Sequence, residues 1–415
     1  MAGVAGIGLS AMRGQGVAAK EGMDQRPDCG GAGPIIAWFN PDAEGEVLAA
    51  MSGKPRNPNA WVQAMEEDLE IFALSWCGAG DVAVMRCLPS REHLRGLEEA
   101  GWKLPGMVEV ARLGDLRGKE VGGFRPWAWS PDASELFRPL AGTVRPDSRW
   151  PWREALPQAW FSKELGHRLE ERLGFACGAV CRDHEEVLET LARLVGDGQV
   201  LLKAPIACAG RGHRRVDPAG VDAEDLDWIG ATLSFHGAVV VEPWLERVAD
   251  FSAQFEAGPD GTFRLLGMTA MRNDAAGRFR GVRVVGDWEG LLETVEPEVA
   301  AFLEEEDEGI FSRKIPGHLR ELLPEYSGPV GVDSMVYRRA EGALALRPVV
   351  EVNVRFTMGR VALELARQFG TSGCGDLQIV RKSDWESAKR PKNAIPLNDP
   401  ASAQRFVAAW NGRVE

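Results

Sequence analysis

The chain has 415 residues, 45% of them hydrophobic and 26% charged, and a net charge of −13. That is enough apolar material for two or three units with their own cores. The acidic balance argues against a nucleic-acid partner, and no apolar run is long enough to span a bilayer. Seven cysteines, an odd number in a long chain, argue against a disulfide framework and for reduced thiols in a cytoplasmic protein. Cys177 and Cys181 have no second Cys/His pair at zinc spacing and read as buried thiols.

Residues 1–33 are Gly-rich, lack the basic lead of a signal peptide, and read as a disordered tail. "PIIAWFN" reads as a strand that ends in the turn "NPDAEG". "AWVQAMEEDLEIFALSWC" has helical spacing, "DVAVMRCL" is a buried strand, and "SREHLRGLEEAGW" is again helical. This alternation predicts a small α/β domain over residues 34–130. A Pro/Trp-rich linker follows over 131–160, its composition bias beginning at Phe124. Five of the fourteen tryptophans, Trp127, Trp129, Trp150, Trp152 and Trp160, fall between Phe124 and Trp160, which suits a packed interdomain segment better than a substrate wall.

"SKELGHRLEERLG" predicts a helix from Ser162 to Gly174, and "HEEVLETLARLVGDG" a second. "QVLLK" and "GAVVVEPWL" are strands. "DFSAQFEAG", "GTFRLLGMTAMRND" and "RFRGVRVV" read as hairpin-linked strands. "VEPEVAAFLEEEDEGIFSRKIPGHLRELL" is helical in pieces, its acidic run a solvated face. "GPVGVDSMVYRR" and "LALRPVVEVNVRF" form a hairpin around "AEGA", before a last amphipathic helix in "MGRVALELARQFG". Units are expected at 161–241 and 242–385, with a C-terminal extension at 386–415.

Three stretches carry chemistry. In "LLKAPIACAGRGHRRV", Lys203 ends a strand, and Gly210 and Gly212 follow in a loop. Glycines let backbone N–H groups approach an anion, and a lysine adds a point charge, a combination that suits a triphosphate. The alternative is a solvated loop with a surface lysine, and no G-x-x-x-x-G-K-[ST] motif is present. In "VVVEPWL", Pro243 ends regular pairing. Backbone groups from Glu242 through Trp244 to Leu245 then suit a flat heterocycle, with Asp250 at a distance that reaches a sugar hydroxyl. In "VVEVNVRF", Glu351, Asn353 and Arg355 alternate and so share a face. Asp333 in "GVDSM" lies on the strand expected to pair with them. Three hard oxygen donors suit Mg²⁺. The alternative is a solvated sheet surface with Arg355 paired to Glu351.

In this order, "LLKAPIACAGRG", "VVVEPWL" with Asp250, "GVD" and "EVNVR" resemble the ATP-grasp ligases over roughly Phe161–Gly370. The resemblance implies an N-terminal α/β domain followed by an ATP-grasp fold of two α+β subdomains. It implies ATP and Mg²⁺ as cofactors, with Mn²⁺ as an alternative metal. Lys163 and Lys203 would hold phosphates, with Gly210 and Gly212 in the covering loop. Glu242–Leu245 would hold adenine and Asp250 ribose, while Asp333, Glu351 and Asn353 would hold metal. Some peptide-forming members carry Arg where this chain has Gly331. Arg355, or Arg272, would then face the acyl phosphate. "RGHRR" is the expected lid. The implied activity joins a small-molecule carboxylate to an amine. A kinase or non-amine ligase, and a non-catalytic nucleotide-binding regulator, are the alternatives.

Overall fold

A computed structural model of the chain describes residues 33–412 except 147, 208–211, 274–278, 372–373 and 388–389. The expected tail lies outside the described residues, apart from Gly33. Four short strands, β1 (Ile35–Trp38), β2 (Val82–Met85), β3 (Gly106–Glu109) and β4 (Gly123–Pro126), form a parallel sheet in the order β3-β2-β1-β4. Helices cross over between them, as parallel pairing requires. One of these, Ala43–Ser52, occupies the stretch that reads as a turn. It buries only Ala43, Glu46 and Val47, too few positions to leave a periodic signal. Strand order reverses between β1 and β4, so the carboxyl ends of these strands flank a crevice. Glu44, in the first turn of the helix after β1, and Trp127, directly after β4, stand beside it.

The tryptophan-rich segment is packed rather than extended. It holds a helix at Pro131–Phe137, and Trp150 bridges back to Gly123. Trp127, Trp129 and Trp150 are buried. The composition bias that marks a linker thus begins on β4 itself.

A second sheet contains β5 (Ala179–Cys181), β6 (Val200–Lys203), β7 (His213–Val216) and β8 (Val239–Pro243), antiparallel in the order β5-β8-β6-β7. Its core is separate, built from Val187, Leu191, Leu202, Ile229 and Val241. Two helices cover it, His184–Arg193 and Ala223–His236, capped by Asp183 and Asp222. The second is absent from the sequence expectations because its buried positions include Asp225 and Thr232 beside Ile229. Before this sheet, the helix Glu164–Leu173 ends at Gly174, whose φ of 77° forms a left-handed cap.

The third sheet has eight antiparallel strands. They are β9 (Glu246–Ala257), β10 (Phe263–Asn273), β11 (Phe279–Gly286), β12 (Gly328–Arg338), β13 (Leu344–Asn353), β14 (Gly375–Arg381), β15 (Ile395–Pro396) and β16 (Phe406–Asn411). Their order is β13-β12-β9-β10-β11-β14-β16-β15. On one face Phe251 packs edge-on against Trp288 and Phe311 from the helical segment 288–322. On the other, the helix Met358–Gln368 and the N-terminal sheet share a core that includes Phe39, Val282, Val284, Phe356 and Trp410. The expected C-terminal extension contributes a strand to this sheet. β16 pairs with β14 along six residues, from Phe406 to Asn411, and fully buries Trp410.

Candidate functional site

Register brings the oxygen donors together. Asp333 pairs with Glu351 across β12 and β13, and Ser252 of β9 is the partner of Asp333 on the other side. Partners in register share a face. The Ser252 hydroxyl donates to Asp333 Oδ1 at 2.8 Å, and Asn353 Nδ2 donates to Oδ2 at 3.2 Å. Burial and then the charge of Glu351 push the Asp333 carboxyl up to about 6. Two carboxylates meet here with an amide beside them, an all-oxygen set that fits a hard divalent cation. Among the described residues no three His, Cys, Asp or Glu side chains cluster at metal-binding spacing. The third oxygen donor would be the Asn353 amide.

Lys163 stands at the N-terminus of the helix Glu164–Leu173, which packs across β13. Its backbone N–H donates to Pro205 O at 2.8 Å, and its Nζ lies 3.0 Å from Glu351 Oε1. Burial works against the Glu351 charge, but the Lys163 ammonium outweighs it and holds the carboxyl at about 2. The Glu351 side chain is 38% exposed, open to the cleft, while Lys163 is 10% exposed.

Lys203, at the end of β6, makes a 2.6 Å ion pair with Glu242 of β8. Arg347 Nη1 reaches the same Glu242 oxygen at 2.9 Å. Its Nε and Nη2 donate in parallel to both oxygens of Glu170, at 2.7 and 2.9 Å. All four side chains of this relay are buried. Burial opposes the charge on Glu242, yet Lys203 and Arg347 hold its carboxyl well below the usual range. Glu242 is thus a structural counter-ion: its side chain is committed to cations. Trp244 donates its backbone N–H to Gln199 O at 2.8 Å, and its exposed ring carries the Arg215 guanidinium at 4.3 Å. Leu245 is half-buried in the connector to β9.

Gly210 lies outside the described residues, as does most of the loop it belongs to. Gly212 closes that loop with a φ of 70° and accepts from Ala204 N at 2.7 Å. Of the expected lid, His213, Arg214 and Arg215 are already strand, paired with β6. His213 is the register partner of Lys203. Desolvation and then the charges of Lys163 and Lys203 hold its imidazole down at about 4.

Arg355 lies two residues past the end of β13. It does not pair with Glu351. Its Nε donates to Glu44 Oε1 at 2.6 Å and its Nη1 to Phe356 O at 3.0 Å, with the guanidinium 5.9 Å from the Trp127 ring centre. Glu44, Trp160, Lys163, Glu351, Asn353 and Arg355 line one cleft between the N-terminal unit and β13.

Biotin carboxylase from Campylobacter jejuni, in a complex with β-γ-ATP, matches this structure with a TM-score of 0.51 at 11% identity, over 91% of this chain and 87% of that one. The chain has an ATP-grasp fold. Other solved structures on the same scale are N5-carboxyaminoimidazole synthetase from Staphylococcus aureus complexed with ADP, with a TM-score of 0.47 at 10% identity and coverage of 91% and 93%. A 2-oxoglutarate carboxylase biotin carboxylase domain from Hydrogenobacter thermophilus has a TM-score of 0.48 at 12% identity and coverage of 91% and 85%. No protein-family model and no curated protein matches the sequence.

Within this ATP-grasp fold, Lys163, Glu351, Asn353 and Arg355 share the cleft and Asp333 adjoins it through Asn353, while Lys203 is paired with Glu242. Asp250 lies on the same sheet face as Asp333, two positions along β9 from Ser252, bonded to Arg247 at 3.1 Å and Asn273 at 2.9 Å. Arg272 does not join them. Thr269 pairs with Ser252, so alternation turns Arg272, three residues on, to the reverse face. There it pairs with Asp376 at 3.4 Å, beside Arg283. Gly331 is explained by packing: a β-carbon there would lie 2.5 Å from Thr357 Cγ2, so no longer side chain fits. Sequence reading missed Glu44, Glu170 and Arg347. Only "RPVVEVN" offered a hint, since Arg347, Val349, Glu351 and Asn353 alternate along one strand.

Proposed function

We propose that this protein is an ATP-dependent ligase that activates a carboxylate as an acyl phosphate and joins it to an amine. The observation that supports this reading is that Lys163, Glu351, Asn353 and Arg355 line one cleft of an ATP-grasp fold, with Asp333 bonded to Asn353 at 3.2 Å. Lys163 and Lys203 would neutralise the phosphates of a nucleotide. Asp333, Glu351 and Asn353 would hold Mg²⁺, which when bound supplies charge neutralisation to the transferring phosphoryl group. In the reaction a carboxylate oxygen attacks the γ-phosphorus and ADP leaves. The amine nitrogen then attacks the acyl carbon, phosphate leaves, and the nitrogen gives up a proton. Arg355, a planar fork with donors beyond those used on Glu44 and Phe356, is suited to grip the substrate carboxylate or the acyl phosphate. The walls of Trp160 and Phe161 help keep water from that intermediate.

Calorimetry with ATP, with and without Mg²⁺, tests the nucleotide site. ADP release with pooled small carboxylates and amines, followed by mass detection of new products, tests the reaction. The expected result is Mg²⁺-dependent nucleotide binding and an amide product. A phosphorylated substrate as the end product would make the protein a kinase. Absence of binding at millimolar ATP with Mg²⁺ would overturn the proposal.

A further inference from the structure

The two lysines are not equivalent. Lys203 leans on Glu242, but Glu242 is also held by Arg347 at 2.9 Å. When Lys203 turns to a phosphate, Glu242 keeps a cation. Lys163 leans on Glu351 at 3.0 Å, and among the described residues it is the one cation within ion-pair distance of that carboxylate. When Lys163 turns to a phosphate, Glu351 faces the incoming negative charge with no cation within ion-pair distance among the described residues. A carboxylate in a cleft from which the nucleotide displaces water cannot be left so without a large cost.

From this asymmetry we infer that Lys163 is a resident stand-in for the divalent cation at Glu351, so that metal arrival and release of Lys163 to the nucleotide are one coupled event. The cation frees the lysine, and the lysine then meets the phosphates. Lys203 differs, because Arg347 stays within ion-pair distance of its counter-ion Glu242 when Lys203 moves. By linkage, metal and nucleotide must each raise the other's affinity, and the coupling is lost when either Glu351 or Lys163 is removed. The inference rests on the reading of the cleft as a metal–nucleotide site.

Two variants read the coupling without turnover. In Glu351→Gln, Lys163 loses its charged partner before nucleotide arrives. Metal-free ATP should bind at least tenfold more tightly than to the wild type, and added Mg²⁺ should give little further gain. In Lys163→Ala, Glu351 is free, so Mn²⁺ alone, followed by its paramagnetic resonance signal, should bind more tightly than to the wild type while ATP binds more weakly. Thermal melts of both variants establish that the fold is kept. If the wild type binds ATP with Mg²⁺ but Glu351→Gln binds metal-free ATP no better, the coupling is wrong and the nucleotide site stands. Unchanged Mn²⁺ affinity in Lys163→Ala overturns it equally. If the wild type binds no nucleotide with or without metal, the coupling and the site reading fall together.

Discussion

Glu44 and Arg355, 311 positions apart in the sequence, meet at 2.6 Å. One comes from the first helical turn of the N-terminal unit, the other from just past β13 of the large sheet. Their side chains are only 12% and 20% exposed, so the pair clamps the N-terminal unit against the cleft with little competition from water.

The geometry at Arg355 separates charge from shape. Arg355→Lys keeps a cation near Glu44 but loses the fork that also reaches Phe356 O. Nucleotide affinity should survive in this variant while product formation falls at least tenfold. Arg355→Met strands Glu44 and should also cost about 1–3 kcal/mol of stability in urea unfolding. Equal turnover in wild type and Arg355→Lys would remove Arg355 from the chemistry.

Arg347 satisfies two buried carboxylates at once. Arg347→Met leaves Glu170 and Glu242 sharing only Lys203, and should cost about 3–5 kcal/mol. Denaturant unfolding measures the loss, and a change below about 1 kcal/mol would show that water or rearrangement replaces the guanidinium.

Asp333 has its carboxyl raised from 3.8 to about 6, first by burial and then by Glu351. A folded acid with a raised pKa holds its proton longer than the unfolded chain does. Stability therefore falls as pH rises from about 4 to about 6, and the penalty is complete above that window. Asp333→Asn keeps the size and removes the penalty, so it should melt higher than the wild type at pH 7.5, by about 2 kcal/mol, and near-equally at pH 4. The same variant should lose most of the Mg²⁺-dependent gain in ATP affinity. Stability gained together with metal dependence lost would mark a site carried for function.

Glu46 offers the same physics away from the cleft. Burial, and then Asp132, raise its carboxyl from 4.5 to about 8. The folded state thus keeps a proton that the unfolded chain has shed, and stability drops as pH climbs from about 4.5 to about 8. Glu46→Gln should flatten that decline and gain on the order of 3 kcal/mol at pH 8.5, with no effect on nucleotide binding. Parallel stability–pH curves for variant and wild type would refute the assignment.

Local periodicity determined much of what was legible in the sequence. Alternation alone put Glu351 and Asn353 on one face of a strand, because side chains repeat every second residue whatever lies across from them. Gly174 marked a helix end because a left-handed cap is a local demand. The hairpins from β9 to β11 and from β12 to β13 were readable for the same reason. Pairing across the chain was not. Arg272 carries the right charge, but register with β9 turns it to the reverse face and Asp376 takes it. The strands after Gly370 are short and lie where no period announced them, yet β16 completes the core with Trp410. Glu44, Glu170 and Arg347 look like ordinary surface charges in the sequence. Tertiary structure alone buries them, and burial compels each to find an opposite charge on a distant element. That compulsion, absent from any local window, chose the partners of Lys203 and Arg355.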